Sequence, residues 1–168
     1  MLGEITMKHD YADGKLNLYF DMDGVLADFS NEPNSLDRFQ TEKGFFANLK
    51  PLAKNVAAVR KLIADGKHNV FILSAAPNQQ ACYDKRAWLT KYIPELQTEN
   101  AILIDLKEPK FKHMKTPDGI LFDDYRKNLH DWVGSDLLHH RGVRVRADGD
   151  VAMGLQAIHC CPNYLLND

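Results

Sequence analysis

Three runs of the chain are apolar without interruption: Val70-Phe-Ile-Leu73, Ala101-Ile-Leu-Ile104 and Ile120-Leu-Phe122. A strand with one wet face alternates polar and apolar residues, whereas an unbroken run suits a strand covered on both faces. Between these runs lie longer stretches with helical spacing. Lys54 to Asp65 places Val56, Val59 and Ile63 on one side of a helix, and Gly66 stands where a helix stops. Gln79 to Tyr92 is helical in composition and closes before Pro94. Leu16-Asn-Leu-Tyr-Phe20 reads as a first strand, Leu129 to Val133 as part of a helix, and Val143-Arg-Val145 as a last, more exposed strand. Strands separated by helices build βαβ units, so the pattern predicts an α/β fold with a doubly wound, mostly parallel sheet.

One stretch breaks this rhythm. Ser30 to Leu49 follows the first strand at once, polar at first and then aromatic through Phe39, Phe45 and Phe46. It reads as a small helical insertion over the strand ends, spanning residues 30–50. The 168 residues fit a single domain, 1–168, around one core. A net charge of -2 gives no bulk attraction to a polyanion, so nucleic acid is not an expected partner; local basic groups can still hold one phosphate. No window approaches the roughly 18–20 apolar residues of a membrane span. Met1 to Asp13 holds three acidic residues and no apolar core of signal-peptide length. Cys82 stands apart from the adjacent Cys160 and Cys161, and no C-x-x-C spacing occurs. A reduced, cytoplasmic setting is the expectation, and residues 147–168 carry no readable pattern.

The residues that carry chemistry gather at strand ends. Asp21 and Asp23 follow the first strand, and Asp123 and Asp124 follow Ile120–Phe122. Ligands of open α/β sheets bind outside those ends. Either acid pair alone reads equally as a polar turn or a helix cap. Together, four converging carboxylates repel one another unless a hard cation sits among them. An all-oxygen donor set without His or Cys suits Mg2+. Asp21 and Asp23 lie two apart on extended chain and project to the same side, so one can attack while the other handles protons. Gly24 permits the turn that follows.

Asp21-Met-Asp-Gly-Val-Leu-Ala-Asp28 resembles the first motif of the haloacid dehalogenase-like (HAD) superfamily. Ser74, ending Phe71-Ile-Leu-Ser, resembles the second motif, and Phe122-Asp-Asp124 the fourth. The resemblance sharpens to the 5'(3')-deoxyribonucleotidase group through Asp28-Phe29, Gly44-Phe-Phe46 with Leu49-Lys-Pro-Leu52, Tyr83-Asp-Lys-Arg-Ala-Trp-Leu-Thr-Lys-Tyr92 and Asp123-Asp-Tyr-Arg-Lys-Asn-Leu129. It runs in family order over residues 16–133. It implies a Rossmann-like HAD core with a small helical cap inserted after the first strand.

The resemblance also implies roles. Asp21 would attack the substrate phosphorus and form an aspartyl-phosphate, with Asp23 as general acid and then general base. Mg2+ would be held by Asp21, the Asp23 carbonyl and Asp123, with Asp124 in support. Ser74 would donate to a phosphate oxygen. The third-motif lysine is one of Lys110, Lys112 and Lys115; Lys112 best fits the family spacing, with one residue inserted. Lys85 occupies the place of a phosphate-contacting lysine. Phe29, Phe45 and Phe46 would form an apolar wall for a nucleobase, or simply pack the insertion onto the core.

The implied activity is hydrolysis of small phosphomonoesters, most closely (deoxy)nucleoside monophosphates. Two departures qualify it. The cap between Phe29 and Gly44 is reduced to Ser30–Lys43, which opens the site or leaves the wall to a second subunit of a homodimer. Ala75 and Ala76 replace a further hydroxyl and a proline. A sugar-phosphate phosphatase would use the same chemistry. A phospho-accepting receiver domain would place its acid pair near the first strand and its phosphoacceptor on the third, whereas here a second acid pair comes late, and a ligand-binding domain would not need the full catalytic set.

Overall fold

The computed structural model describes residues 14–160 and 165–168; the readings made above of Met1 to Asp13 and of Cys161 fall outside them. The elements run β1 (Asn17–Phe20), α1 (Ser35–Arg38), α2 (Ala53–Asp65), β2 (Asn69–Ala76), α3 (Gln79–Tyr92), β3 (Ala101–Asp105), β4 (Gly119–Asp123), α4 (Arg126–Ser135), β5 (His140–Arg144), α5 (Asp150–Cys160) and β6 (Leu165–Leu166). The strands form one sheet in the order β3-β2-β1-β4-β5-β6, with every pair parallel. That is the doubly wound α/β order the unbroken apolar runs predict.

Side-chain alternation sorts the strands onto two cores. Leu18, Phe20, Ile72, Ile120 and Phe122 join Val56 and Val59 of α2, Trp88 and Leu89 of α3, and Val151 and Ile158 of α5. Tyr19, Phe71, Leu73 and Leu121 join Leu129 and Trp132 of α4. The helix starts are satisfied in different ways. The Asn78 side chain accepts the Ala81 amide at 2.9 Å to open α3. α2 has no cap of its own, and the distant Asp148 carboxylate accepts its Lys54 and Asn55 amides at 3.2 and 2.9 Å.

The far end of the chain departs from the sequence expectation. Val143–Val145 is neither the last strand nor an exposed one: β5 spans His140–Arg144, Val143 and Val145 are fully buried, and β6 pairs outside it. The covering element is α5, in the region without a readable pattern. Its Gly154 sits so close to the sheet that a Cβ would meet the Val143 side chain at 2.6 Å.

After β1 the chain turns tightly, with the Leu26 and Ala27 amides both donating to the Met22 carbonyl at 2.8 and 2.9 Å. The two limbs of the insertion are then laced together: Asp28 N–H donates to Lys50 O at 2.8 Å and Leu52 N–H to Leu26 O at 2.7 Å. Between those ties lie the four-residue α1 and a short 3-10 turn at Phe46–Asn48. The insertion therefore stands over the C-terminal end of β1.

Candidate active site

The strand order reverses between β1 and β4; Asp21 directly follows β1, and β4 ends in Asp123. The Asp21 amide donates to Phe122 O at 2.9 Å, which extends the pairing of the two strands to the acids themselves. Carboxylate oxygens of Asp21, Asp123 and Asp124 all lie within 4.8 Å of one another. Asp21 and Asp123 are buried. Burial, reinforced by the Asp21 and Asp123 charges, pushes the Asp124 carboxyl up to about 8. Burial also raises Asp123 to about 6, with Lys110 pulling the other way and Asp21 adding to the rise. These carboxylates resist carrying their charges together, and a trio of carboxylate oxygens this close could hold a hard cation.

Two buried ammonium groups answer part of that charge. Lys110 Nζ lies 2.8 Å from Asp21 Oδ1 and 2.7 Å from Asp123 Oδ2. Burial works against its charge, yet the Asp123 and Asp21 carboxylates outweigh it and hold its pKa above the ordinary lysine value. Lys85 Nζ donates to Asp23 Oδ2 at 2.5 Å, Ser74 Oγ at 2.9 Å and Ala75 O at 2.8 Å. Those three bonds use all the protons of its ammonium. Four carboxylates outnumber two lysines, and burial presses part of the acids toward their neutral form.

Asp23 occupies the seam between the two lysine clusters. Burial raises its carboxyl above the usual range, against the pull of Lys85 and with the help of Asp21. Its Oδ1 is buried and has no hydrogen-bond partner among the described residues. Gly24 follows at φ 78, and a Cβ there would meet Asp124 Oδ2 at 2.1 Å. Only glycine lets the chain turn while Asp124 keeps its place. Asp123 is further held by the Tyr125 amide at 2.9 Å and Asn128 Nδ2 at 3.1 Å, and Arg144 Nε donates to Asp124 O at 3.0 Å.

The structure brings together Asp21, Asp23, Asp123, Asp124, Ser74, Lys85 and Lys110. It does not bring in Lys112, the lysine that family spacing favours. Lys112 is exposed, whereas Lys110 is 5 % exposed. Both lie on the 3-10 turn Lys110–His113, and at three residues per turn two positions apart point to different sides. Lys115 is also exposed and reaches the Glu99 carbonyl. Phe45 and Phe46 are 2 % exposed and pack inward, so only half-buried Phe29 of the three rings offers surface to a ligand. Phe29 rests against them, with ring centroids 5.7 Å from Phe45 and 6.5 Å from Phe46. Asn128 lay within the Asp123–Leu129 run without a role of its own, and no motif marked Arg144; they come to the site through the β4–α4 turn and the β4–β5 register.

Comparison with known proteins identifies a family for the chain. The profile of the family described as 5' nucleotidase, deoxy (pyrimidine), cytosolic type C matches residues 30–148. A protein of Vibrio phage KVP40, designated a 5'(3')-deoxyribonucleotidase, is 34% identical over 123 residues, which cover 66% of this chain and 67% of the phage protein. Among solved structures, a haloacid dehalogenase-like hydrolase from Burkholderia xenovorans superposes with a TM-score of 0.53 at 13% identity, covering 91% of this chain and 92% of that one. The HAD domain of an effector protein from Legionella pneumophila gives the same TM-score and identity over 89% and 95% of the two chains. At that identity the two structures speak for the fold.

Proposed function

Because this chain belongs to the 5' nucleotidase, deoxy (pyrimidine), cytosolic type C family, we propose that it hydrolyses deoxynucleoside monophosphates, using Mg2+ and an aspartyl-phosphate on Asp21. The observation that carries the proposal is the convergence of Asp21, Asp123 and Asp124 at the point where the strand order reverses. The donor set fits the metal: the oxygens are all carboxylate, and both Asp123 and Asp124 are pushed toward neutrality without a cation. Asp21, Asp123 and Asp124 would hold Mg2+, which when bound offsets the repulsion between a phosphate and the attacking carboxylate.

The steps on the protein's own residues follow from the contacts. An oxygen of Asp21 attacks phosphorus in line, and the bond to the nucleoside oxygen breaks. Asp23 gives its proton to that leaving oxygen, a role suited to a carboxyl whose pKa burial has raised. It then takes a proton from the water that cleaves the aspartyl-phosphate, which releases phosphate and restores Asp21. Lys110 keeps Asp21 and Asp123 aimed, and Ser74, itself held by Lys85, offers its hydroxyl to a phosphate oxygen. Phe29 receives the nucleobase. The free thiol of Cys82 and the cytosolic family description agree with a reducing compartment.

The test is phosphate release from a panel of deoxyribonucleotides, ribonucleotides and sugar phosphates, with chelator and with added Mg2+. Deoxynucleoside monophosphates should lead, and chelation should abolish turnover until Mg2+ is restored. A preference for nucleotides below about threefold would favour the sugar-phosphate reading instead, since it is no more than the weakest ring contact supplies.

A further inference from the structure

The buried face of α3 runs Ala81, Asp84, Lys85, Trp88, Leu89, the i, i+3, i+4, i+7, i+8 stripe that a helix normally keeps apolar. Two of the five positions are charged. Lys85 is accounted for by Asp23 and Ser74. Asp84 is 7 % exposed and stands outside the carboxylate cluster, and nothing in the proposed chemistry uses it.

Its two oxygens have separate partners. Oδ2 accepts the Gly44 amide at 2.8 Å, and Oδ1 accepts Gln80 Nε2 at 2.9 Å. Gly44 holds φ 83, a left-handed turn residue directly before Phe45 and Phe46. Burying a carboxylate to hold one backbone amide is costly unless that amide must be held. What hangs on it is the aromatic set. The Phe46 ring lies 4.4 Å from Lys85 Nζ, and Phe29 leans on Phe45 and Phe46.

We infer that Asp84 is a positioning residue for the ring-bearing half of the substrate: through the Gly44 amide it sets Phe45 and Phe46, and through them the exposed face of Phe29. The adjacent pair Asp84-Lys85 thus divides two tasks on one turn of helix. The ammonium organises Asp23 and Ser74, where the phosphate is handled, and the carboxylate organises the cap. Two other α3 contacts bracket it and hold the insertion in place without it. Asn78 Nδ2 donates to Gln40 O at 2.9 Å, and Trp88 Nε1 donates to Leu49 O at 2.8 Å. Loss of Asp84 therefore loosens the turn at Gly44 and leaves the cap attached.

The inference rests on the nucleotidase reading for its substrate, and the experiment separates the two. Steady-state phosphate release is measured for wild type, Asp84→Ala and Asp84→Asn. One substrate carries a ring (the best deoxynucleoside monophosphate), and the other, glycerol phosphate, has none. Asp84→Ala should raise KM for the nucleotide about tenfold, as one lost buried hydrogen bond allows, with kcat nearly unchanged and glycerol phosphate turnover unaffected. Asp84→Asn keeps an acceptor for Gly44 and should restore most of the nucleotide KM. Equal loss on both substrates, or no loss on either, overturns the positioning role. If wild type cleaves no nucleotide, the nucleotidase reading fails, and the same ratio is read with p-nitrophenyl phosphate as the ring-bearing substrate.

Discussion

The floor of the site and its cap are held by different means. The floor is built on strand ends, where the pairing of β1 with β4 fixes Asp21 beside Asp123 through the backbone. Its side chains are locked by two buried lysines, each bridging groups on different segments. The cap between Asp28 and Leu52 has one turn of helix, exposes Leu36 at 77 %, and depends on side chains reaching across from α3. On the proposed reading, the chemistry falls to the part held by strand pairing and buried lysines, and substrate recognition to the part held by side chains of the α3 region. The difference predicts that floor variants lose turnover or stability, while cap variants lose discrimination.

The sharpest test of the floor is Asp21→Asn. The amide keeps an oxygen for Lys110 and removes the nucleophile, so kcat should fall roughly a thousandfold or more. Thermal unfolding should not shift down, because one of three mutually repelling carboxylates is gone. Residual turnover near wild type would place the nucleophile elsewhere. Lys110→Met comes next. It leaves Asp21 and Asp123 buried without their cation, a cost of about 3–5 kcal/mol in denaturant unfolding. The exposed Lys112→Met should stay within about 0.5 kcal/mol. Equal effects from the two lysines would mean that the buried contact is not what holds the floor together.

How much of this was legible in the sequence follows the same division. The floor was readable because its acids sit one step beyond apolar runs, so strand assignment and site assignment were one act for Asp21, Asp23, Asp123 and Asp124. The choice among Lys110, Lys112 and Lys115 was not, because side-chain direction on a single 3-10 turn is decided by the loop's path and leaves no periodic trace. The cap was legible as an insertion, but its three phenylalanines look alike in sequence. Only packing separates Phe45 and Phe46, turned inward, from Phe29. Asp84 did carry a signal: a charged residue on the buried stripe of an amphipathic helix needs a partner, and helical spacing alone points to it. Beyond Ala147, Gly154 and the two-residue β6 gave no periodicity long enough to read, although α5 covers the sheet.

The smallest expected effect falls on the cap. Phe29→Ala removes a half-buried ring that packs against Phe39, Phe45 and Phe46 at the edge of the core, so the fold should tolerate it. Stacking of one ring is worth about 0.5–1.5 kcal/mol, which corresponds to a KM for nucleotides raised roughly twofold to twelvefold at constant kcat. If Asp84 acts through Phe29, the two changes cannot add. In a Phe29→Ala background, Asp84→Ala should cost little further KM, and the coupling read from the four proteins should nearly equal the Asp84 effect itself. Additive losses would mean that Asp84 and Phe29 serve the substrate separately, and would detach the cap's recognition from its tie to α3.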